Sequence, residues 1–513
     1  MTNFKKFAAL CAFLEEMFNV STSRRGILNM IPIYTTNHRH YKQRCRIFLQ
    51  NSYPNLKIIP NNIRKAINMI TYPDLSHIDD IMRNYYSKYG PAPRPASCML
   101  RSLLLAVICK VTSITQWVDI LHTQPLYAVI SGFEPDNIPG VGTFYDFINR
   151  LWKLDTNNIS SHIKFPKRKP SNPSVKGYKA APVEKNTVTE ELEAIMSGQS
   201  PISAHQPFSL LFKIFEHFLL ISHTQGLINL NSLQLAGDGT PVVTASRERS
   251  KAIVKGARSY EHPLPRYYSQ PDCDVGWDSY RECYYSGYDL YVLTDVNNGL
   301  PVFPLLNPAS RHDSFCFLHT WSAMKKHMPY AKINSAYLNS AHDAMAIHKY
   351  FQEEKIHAFI DLGRVAKPSI REGFHLDKDF RPICPAGYRM HREGNDYKHM
   401  RIKFTCPLAI RKDNTRICKC KNPCTTAKSG AMVYLSMKDN PRLFTTPSRD
   451  SSEWRSEYCK RTSVERSNKS MKVDCLLEHG RHRSSKMWYF RLYCIMMYQH
   501  LNAWKKPLGS EVW

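Results

Sequence analysis

Hydrophobic positions recur at helical spacing in three places ahead of residue 152. Leu100, Leu103, Leu104 and Val107 fall at i, i+3, i+4 and i+7, Ser113 stands as an N-cap before Trp117, Ile120 and Leu121, and Phe144, Phe147, Ile148 and Leu151 follow a Thr143-x-x-Asp146 start. Short helices joined by short turns are predicted there. Residues 1–90 are basic, rich in Tyr and Asn and only weakly periodic; apart from an amphipathic helix at the start, FKKFAALCAFLEEMF, no element is assigned to them. One helix starting at Thr187 and an apolar helix over 207–222 follow.

Beyond 230 the period changes to two. Leu233 and Leu235 alternate in a strand that ends in Asp238 and Gly239. Residues 288–296, the turn Asn297-Asn298-Gly299 and the apolar run after it read as a hairpin, and a helix over 314–326 comes next. A strand over 334–338, Asp343, a helix over 344–354 and a strand over 356–360 complete an α/β order. An acid at a strand end is held rigidly while its carboxylate reaches outward, as a metal site needs; a turn aspartate before Gly is the plainer alternative for Asp238.

In Tyr458–Lys472, the residues Tyr458, Arg461, Glu465 and Lys472 lie at offsets −7, −4, 0 and +7 from Glu465. At about 100° per residue these fall in one sector, so a single helix is predicted to present all four on one face. A carboxylate that can hold a divalent metal, beside cations that clamp phosphate oxygens, suits phosphate chemistry. A solvated helix with an i,i+4 Arg461/Glu465 pair has the same sequence.

The spacing Y-x2-R-x3-E-x6-K resembles, without a gap, the Tyr-Arg-Glu-Lys signature of bacterial insertion-sequence DDE transposases. The order strand–Asp238, hairpin, helix, strand–Asp343, helix, strand and Glu465 helix is similar to that of their RNase H-like core, and AGDGT and LNSAHDA resemble the motifs around their first two acids. The resemblance implies an α/β fold: an RNase H-like catalytic core of a mixed sheet flanked by helices, an inserted β-rich subdomain and an N-terminal helical domain. It implies Asp238, Asp343 and Glu465 as catalytic acids holding Mg2+ or Mn2+, with Tyr458, Arg461 and Lys472 on DNA phosphates. His342 stands where Gly or Tyr is expected, and Asp361 competes with Asp343. The implied activity is cleavage of the element's ends and transfer into target DNA by a homodimer or larger synaptic complex. A silent, domesticated DNA-binding protein and a stand-alone metal-dependent nuclease are the alternatives.

Composition bears on the partner. Lys and Arg number 70 against 43 Asp and Glu, a formal charge of +27, which points to a polyanion such as DNA. Arg247 and Lys251, in a polar stretch after the first strand, are further candidates for the phosphate backbone. The absence of a long apolar run or cleavable leader pattern predicts a cytoplasmic, nucleoid-associated protein with no membrane partner.

Of the 15 cysteines, Cys384, Cys406, Cys418, Cys420 and Cys424 share one window; Cys406, Cys418, Cys420 and Cys424 are candidates for a structural zinc, with reduced, metal-free thiols as the other reading. The domains expected are 1–90, unassigned; 91–163, helical and DNA-binding; 164–206, a basic Pro-rich linker; 207–364, the first part of the core; 365–450, the cysteine-containing insertion; and 451–513, the C-terminal core helices.

Overall fold

The computed structural model describes residues 37–152, 187–199, 209–245 and 273–504, apart from 54, 56–57, 87–91, 364–369, 378–379, 397, 400, 413–414, 437–441, 443–444, 450 and 481. Arg247, Lys251 and the amphipathic helix at the start lie outside the described residues, as does most of the proposed linker.

Helices α1 (His38–Ser52), α2 (Asn61–Thr71) and α3 (Ser76–Arg83) occupy the stretch in which periodicity predicts nothing. The three expected helices appear as α4 (Ala96–Ile108), α5 (Ile114–Thr123) and, after a further helix α6 (Pro125–Ser131), α7 (Val141–Arg150). The Ser113 hydroxyl accepts from the Gln116 N–H and caps α5. Two more helices, α8 (Thr187–Met196) and α9 (Ser209–Thr224), precede the sheet. Although α8 falls in the expected linker, Val188, Leu192 and Ile195 pack on the main core, so this part of it is a docked helix.

The sheet contains β1 (Leu233–Val243), β2 (Asp274–Asp278), β3 (Cys283–Asp295) and β4 (Pro301–Pro308). After helix α10 (Asp313–His327) come β5 (Ile333–Leu338), helix α11 (Met345–Glu353) and β6 (His357–Ile360). Its order is β2-β3-β1-β5-β6, with β4 also on β3; β1, β2 and β4 run antiparallel to β3, whereas β1-β5-β6 is parallel. The molecule is therefore mixed α/β, its mixed sheet flanked by helices. Strand β2 lies at the end of the polar stretch that follows β1, and its Gly276 admits Ala309: a Cβ there would lie 2.3 Å from the Ala309 carbonyl oxygen.

Residues between β6 and 451 form a β-structured insertion, with β7 (His375–Leu376), β8 (Pro382–Ile383), β9 (His391–Asp396), β10 (Arg401–Thr405), β11 (Ala409–Lys412), β12 (Thr415–Cys418) and β13 (Met432–Ser436). It has its own core of Phe374, Met390, Ile402, Phe404, Val433 and Leu435.

The chain then returns to the sheet as α12 (Ser452–Cys459) and α13 (Thr462–Lys469), continues into a π-helical turn over Ser470–Asp474, and ends the described part with α14 (Ser485–Ala503). Helix α14 is buried nearly all round, between α9 and the N-terminal helices: Tyr493 meets Phe215, Tyr489 meets Trp152 and Trp504 meets Tyr72. One hydrophobic core thus runs from α1 to the sheet. No helix among the described residues is long and apolar enough to cross a membrane.

Candidate functional site

Strand alternation decides which side chains share the site. Ala236 pairs with Tyr337 and Tyr337 with Phe359, so these three form a row across β1, β5 and β6 on one face. Trp454 of α12 and Val464 of α13 pack on that row. Two residues further along each strand, the same face carries Asp238, Asn339 and Asp361. Strands β5 and β6 end just before this second row, at Leu338 and Ile360, whereas β1 continues to Val243 because its antiparallel pairing with β3 persists. Asp238 therefore lies within a strand rather than at its end, and faces the gap where β5 stops.

The residue across that gap is Asn339. Its Nδ2 donates to Asp238 Oδ1 at 2.9 Å. Asn339 Oδ1 accepts from the Ala341 N–H at 3.1 Å and lies 2.7 Å from His342 Nδ1. The His342 Nε2 is in turn 2.7 Å from the Tyr291 hydroxyl. His342 is wholly buried, and that burial lowers its pKa to about 3, so the ring is neutral. A neutral imidazole has one N–H. With the Tyr291 hydroxyl donating to Nε2, Nδ1–H donates to Asn339, and the amide is left with its NH2 towards Asp238.

Asp343 is four residues past Asn339 and turned elsewhere. Its Oδ1 lies 3.0 Å from Arg442 Nε and 3.1 Å from His348 Nε2, and its Oδ2 accepts from Arg442 Nη2 at 3.0 Å and from the Gly363 N–H at 2.8 Å. The Asp343 side chain is 1% exposed and that of Arg442 7%. Burial opposes the Asp343 charge, but the hydrogen bonds from His348 and Gly363 and the Arg442 charge outweigh it and hold the carboxyl below its usual range. Asp343 thus fastens the end of the insertion to the core.

Tyr458, Arg461 and Glu465 do face the second row. The chain tightens between α12 and α13, with the Arg461 N–H on Tyr458 O and the Val464 N–H on Arg461 O, and this i→i−3 turn keeps the three together. Arg461 Nη2 donates to Glu465 Oε1 at 2.6 Å, and its guanidinium lies 5.9 Å from the centre of the Tyr458 ring, which stacks on Trp454. Glu465 is 49% exposed and Arg461 17%.

Lys472 lies past the π-helical turn, where Nζ donates to Pro241 O at 2.7 Å and sits 3.6 Å from Glu478 Oε2. Arg461, Glu465 and Lys472 thus lie along β1 from Asp238 to Pro241, with Tyr458 towards Asp361, and no single regular helix carries the four.

Burial, the Asp313 charge and, less strongly, Glu465 raise Asp238 to about 7, against the pull of Arg461. Behind Gly239, on the opposite face, stand two carboxylates that sequence reasoning missed. A Cβ on Gly239 would lie 2.7 Å from Asp313 Oδ1 and 2.8 Å from Asp289 Oδ1, so only glycine leaves room for the pair. Burial and the Asp313 charge raise Asp289 to about 8.

Neither metal expectation meets a gathered donor set. Among the described residues no group of three or more His, Cys, Asp or Glu side chains is arranged to hold an ion. For magnesium or manganese, the amide of Asn339 stands where a carboxylate would have to face Asp238. For zinc, Cys406 and Cys418 have their sulfurs 3.8 Å apart, while the Cys420 thiol donates to Asn422 O.

No protein-family model matches this chain, and none of the curated proteins matches it.

Proposed function

We propose that the chain is a DNA transposase of the insertion-sequence type on an RNase H-like core, and that in the form encoded here it binds the ends of its element without cutting them. The observation that carries this reading is the Asn339 amide donating to Asp238 where a carboxylate would have to stand, opposite Arg461 and Glu465 of α13. The antiparallel run β4-β3-β1 continued by parallel β5 and β6 supports such a core. A formal charge of +27 supports a polyanionic partner, with Arg461 and Lys472 along β1 suited to its phosphates.

Two-metal strand cleavage clamps both the attacking and the leaving oxygen and needs carboxylates on both sides of the metal pair. Asp238 and Glu465 are two such groups; the third position is an amide. The reading in which these two suffice, so that the chain cleaves and transfers strands as an active transposase, is the other outcome of the test.

In either case a second copy would hold the second DNA end, and the nucleoid would be the place of action. The experiment is fluorescence anisotropy on labelled duplexes copied from the DNA flanking the protein's own coding sequence, over a series of salt concentrations, with Mg2+-dependent nicking scored on the same duplexes. Tighter binding to flanking than to scrambled sequence, with a steep salt dependence and no nicks, supports the proposal. Equal binding to both would remove end recognition, and nicking would make the chain an active enzyme.

A further inference from the structure

We infer that Asn339 is the residue that keeps the gap between β1 and β5 from taking a divalent cation, and that Asn339→Asp would turn residue 339, Asp238 and Glu465 into a Mg2+ or Mn2+ site. The inference rests on the transposase reading for the identity of the ion, and on the geometry for everything else.

The Asn339 amide is locked from both ends. Its oxygen is engaged by the Ala341 N–H and by His342, which Tyr291 holds from the far side of the ring. Its nitrogen is consequently aimed at Asp238 and cannot rotate away without giving up these bonds. An amide nitrogen has no free lone pair for a cation, and its hydrogens place positive charge where the ion would sit. The Asp238 carboxylate is satisfied by a donor that competes with metal.

A carboxylate at 339 would inherit the same anchors. One oxygen would accept from Ala341 and His342, and the other would stand at the present amide nitrogen, 2.9 Å from Asp238 Oδ1. Two carboxylate oxygens in such contact require a shared proton or a cation between them. The separation also suits the cation: adjacent ligands of an octahedral Mg2+, at about 2.05 Å from the ion, are about 2.9 Å apart. Glu465, half exposed and paired with Arg461, is the third oxygen donor, near enough for its charge to act on Asp238.

The chemistry belongs to the second row of the sheet and leaves the fold alone. The other carboxylate of that row is Asp361, just past the end of β6, and Asp343 is committed to Arg442.

The test uses the full chain without DNA. Wild type, Asn339→Asp, Asn339→Ala and the double variant Asn339→Asp/Asp238→Asn are titrated with Mn2+, free ion being read by electron paramagnetic resonance, and each is melted with and without excess Mn2+ or Mg2+. Expected is stoichiometric Mn2+ binding and a rise in Tm with metal for Asn339→Asp alone. A destabilised Asn339→Asp that metal restores reports the same site. Mn2+ binding by wild type as tight as by Asn339→Asp overturns the inference. So does a folded Asn339→Asp that takes up no Mn2+, or an unfolded one that Mn2+ does not restore. The alanine variant separates loss of the amide from gain of a ligand. Because DNA plays no part, loss of end recognition would sink the proposed function and leave this result standing.

Discussion

Asn339 donates its side-chain amide to Asp238 across the gap where β5 ends, and Asp343, only four residues later, spends its carboxylate on Arg442. Two acids expected to share a metal are thereby separated. Asp238 keeps a raised pKa and an amide neighbour, and Asp343 becomes a structural anion.

That division predicts opposite responses to neutralisation. Asp343→Ala leaves Arg442 buried without a counter-ion and is expected to cost about 3–5 kcal/mol. Asp238→Asn removes a carboxylate whose charge the fold disfavours and is expected to leave stability at neutral pH unchanged or higher. Urea unfolding of both variants beside wild type reads the difference; equal losses would contradict it.

Asp238 also sets a pH dependence. Its pKa is raised from 3.8 to about 7, so between these values the folded chain binds more protons than the unfolded one, and its contribution to stability is lost as pH rises through that window. Asp238→Asn should flatten this part of the stability profile.

The tilted rings of His77 and His217, with centroids 3.6 Å apart, work in the opposite direction. Burial lowers His77 to about 3 and His217 to about 4, and the neighbouring His217 charge depresses His77 further. Between about 4 and the unfolded value of 6.5 the unfolded chain binds the extra protons, so stability present above 6.5 is lost on acidification. His217→Phe keeps a ring against His77 and removes one proton. It should reduce the slope of stability against pH by up to about 1.4 kcal/mol per unit in that window. An unchanged slope would place proton uptake elsewhere.

Arg461 is the cation nearest both Glu465 and Asp238, and Arg461→Ala is expected to weaken DNA binding at every sequence while lowering the slope of log K against log salt by about 0.9. Glu465→Gln, at a half-exposed position, should leave the fold within about 0.5 kcal/mol and binding intact.

Much of the sheet is legible in the chain because its signals are local. The alternation of Leu233 and Leu235, the Asn297-Asn298-Gly299 turn and the stripe after Asp343 correspond to β1, the β3–β4 hairpin and α11. Helices α1 and α2 carry the helical stripe, Tyr41, Cys45 and Leu49 in one and Ile63, Ala66, Ile67 and Ile70 in the other, and polar Asn, Arg and Lys residues between those positions mask it.

The site is legible to a lesser degree. Tyr458, Arg461 and Glu465 stay together, but the π-helical turn that carries Lys472 along β1 leaves no mark in side-chain spacing. Asn339 was within reach of strand parity, since it lies two residues past Tyr337 as Asp238 lies two past Ala236. A search for acids passes over an amide. The Asp343–Arg442 pair joins residues 99 apart in sequence, and no periodicity reports it.

The most direct measurement is nicking of a flanking-sequence duplex in Mg2+ by wild type beside Asn339→Asp, with binding measured for both. Bound but uncut DNA with wild type, and cuts with Asn339→Asp that Glu465→Gln abolishes, is the predicted result. Cleavage by wild type at the rate of Asn339→Asp would contradict the account, because Asn339 would then close nothing.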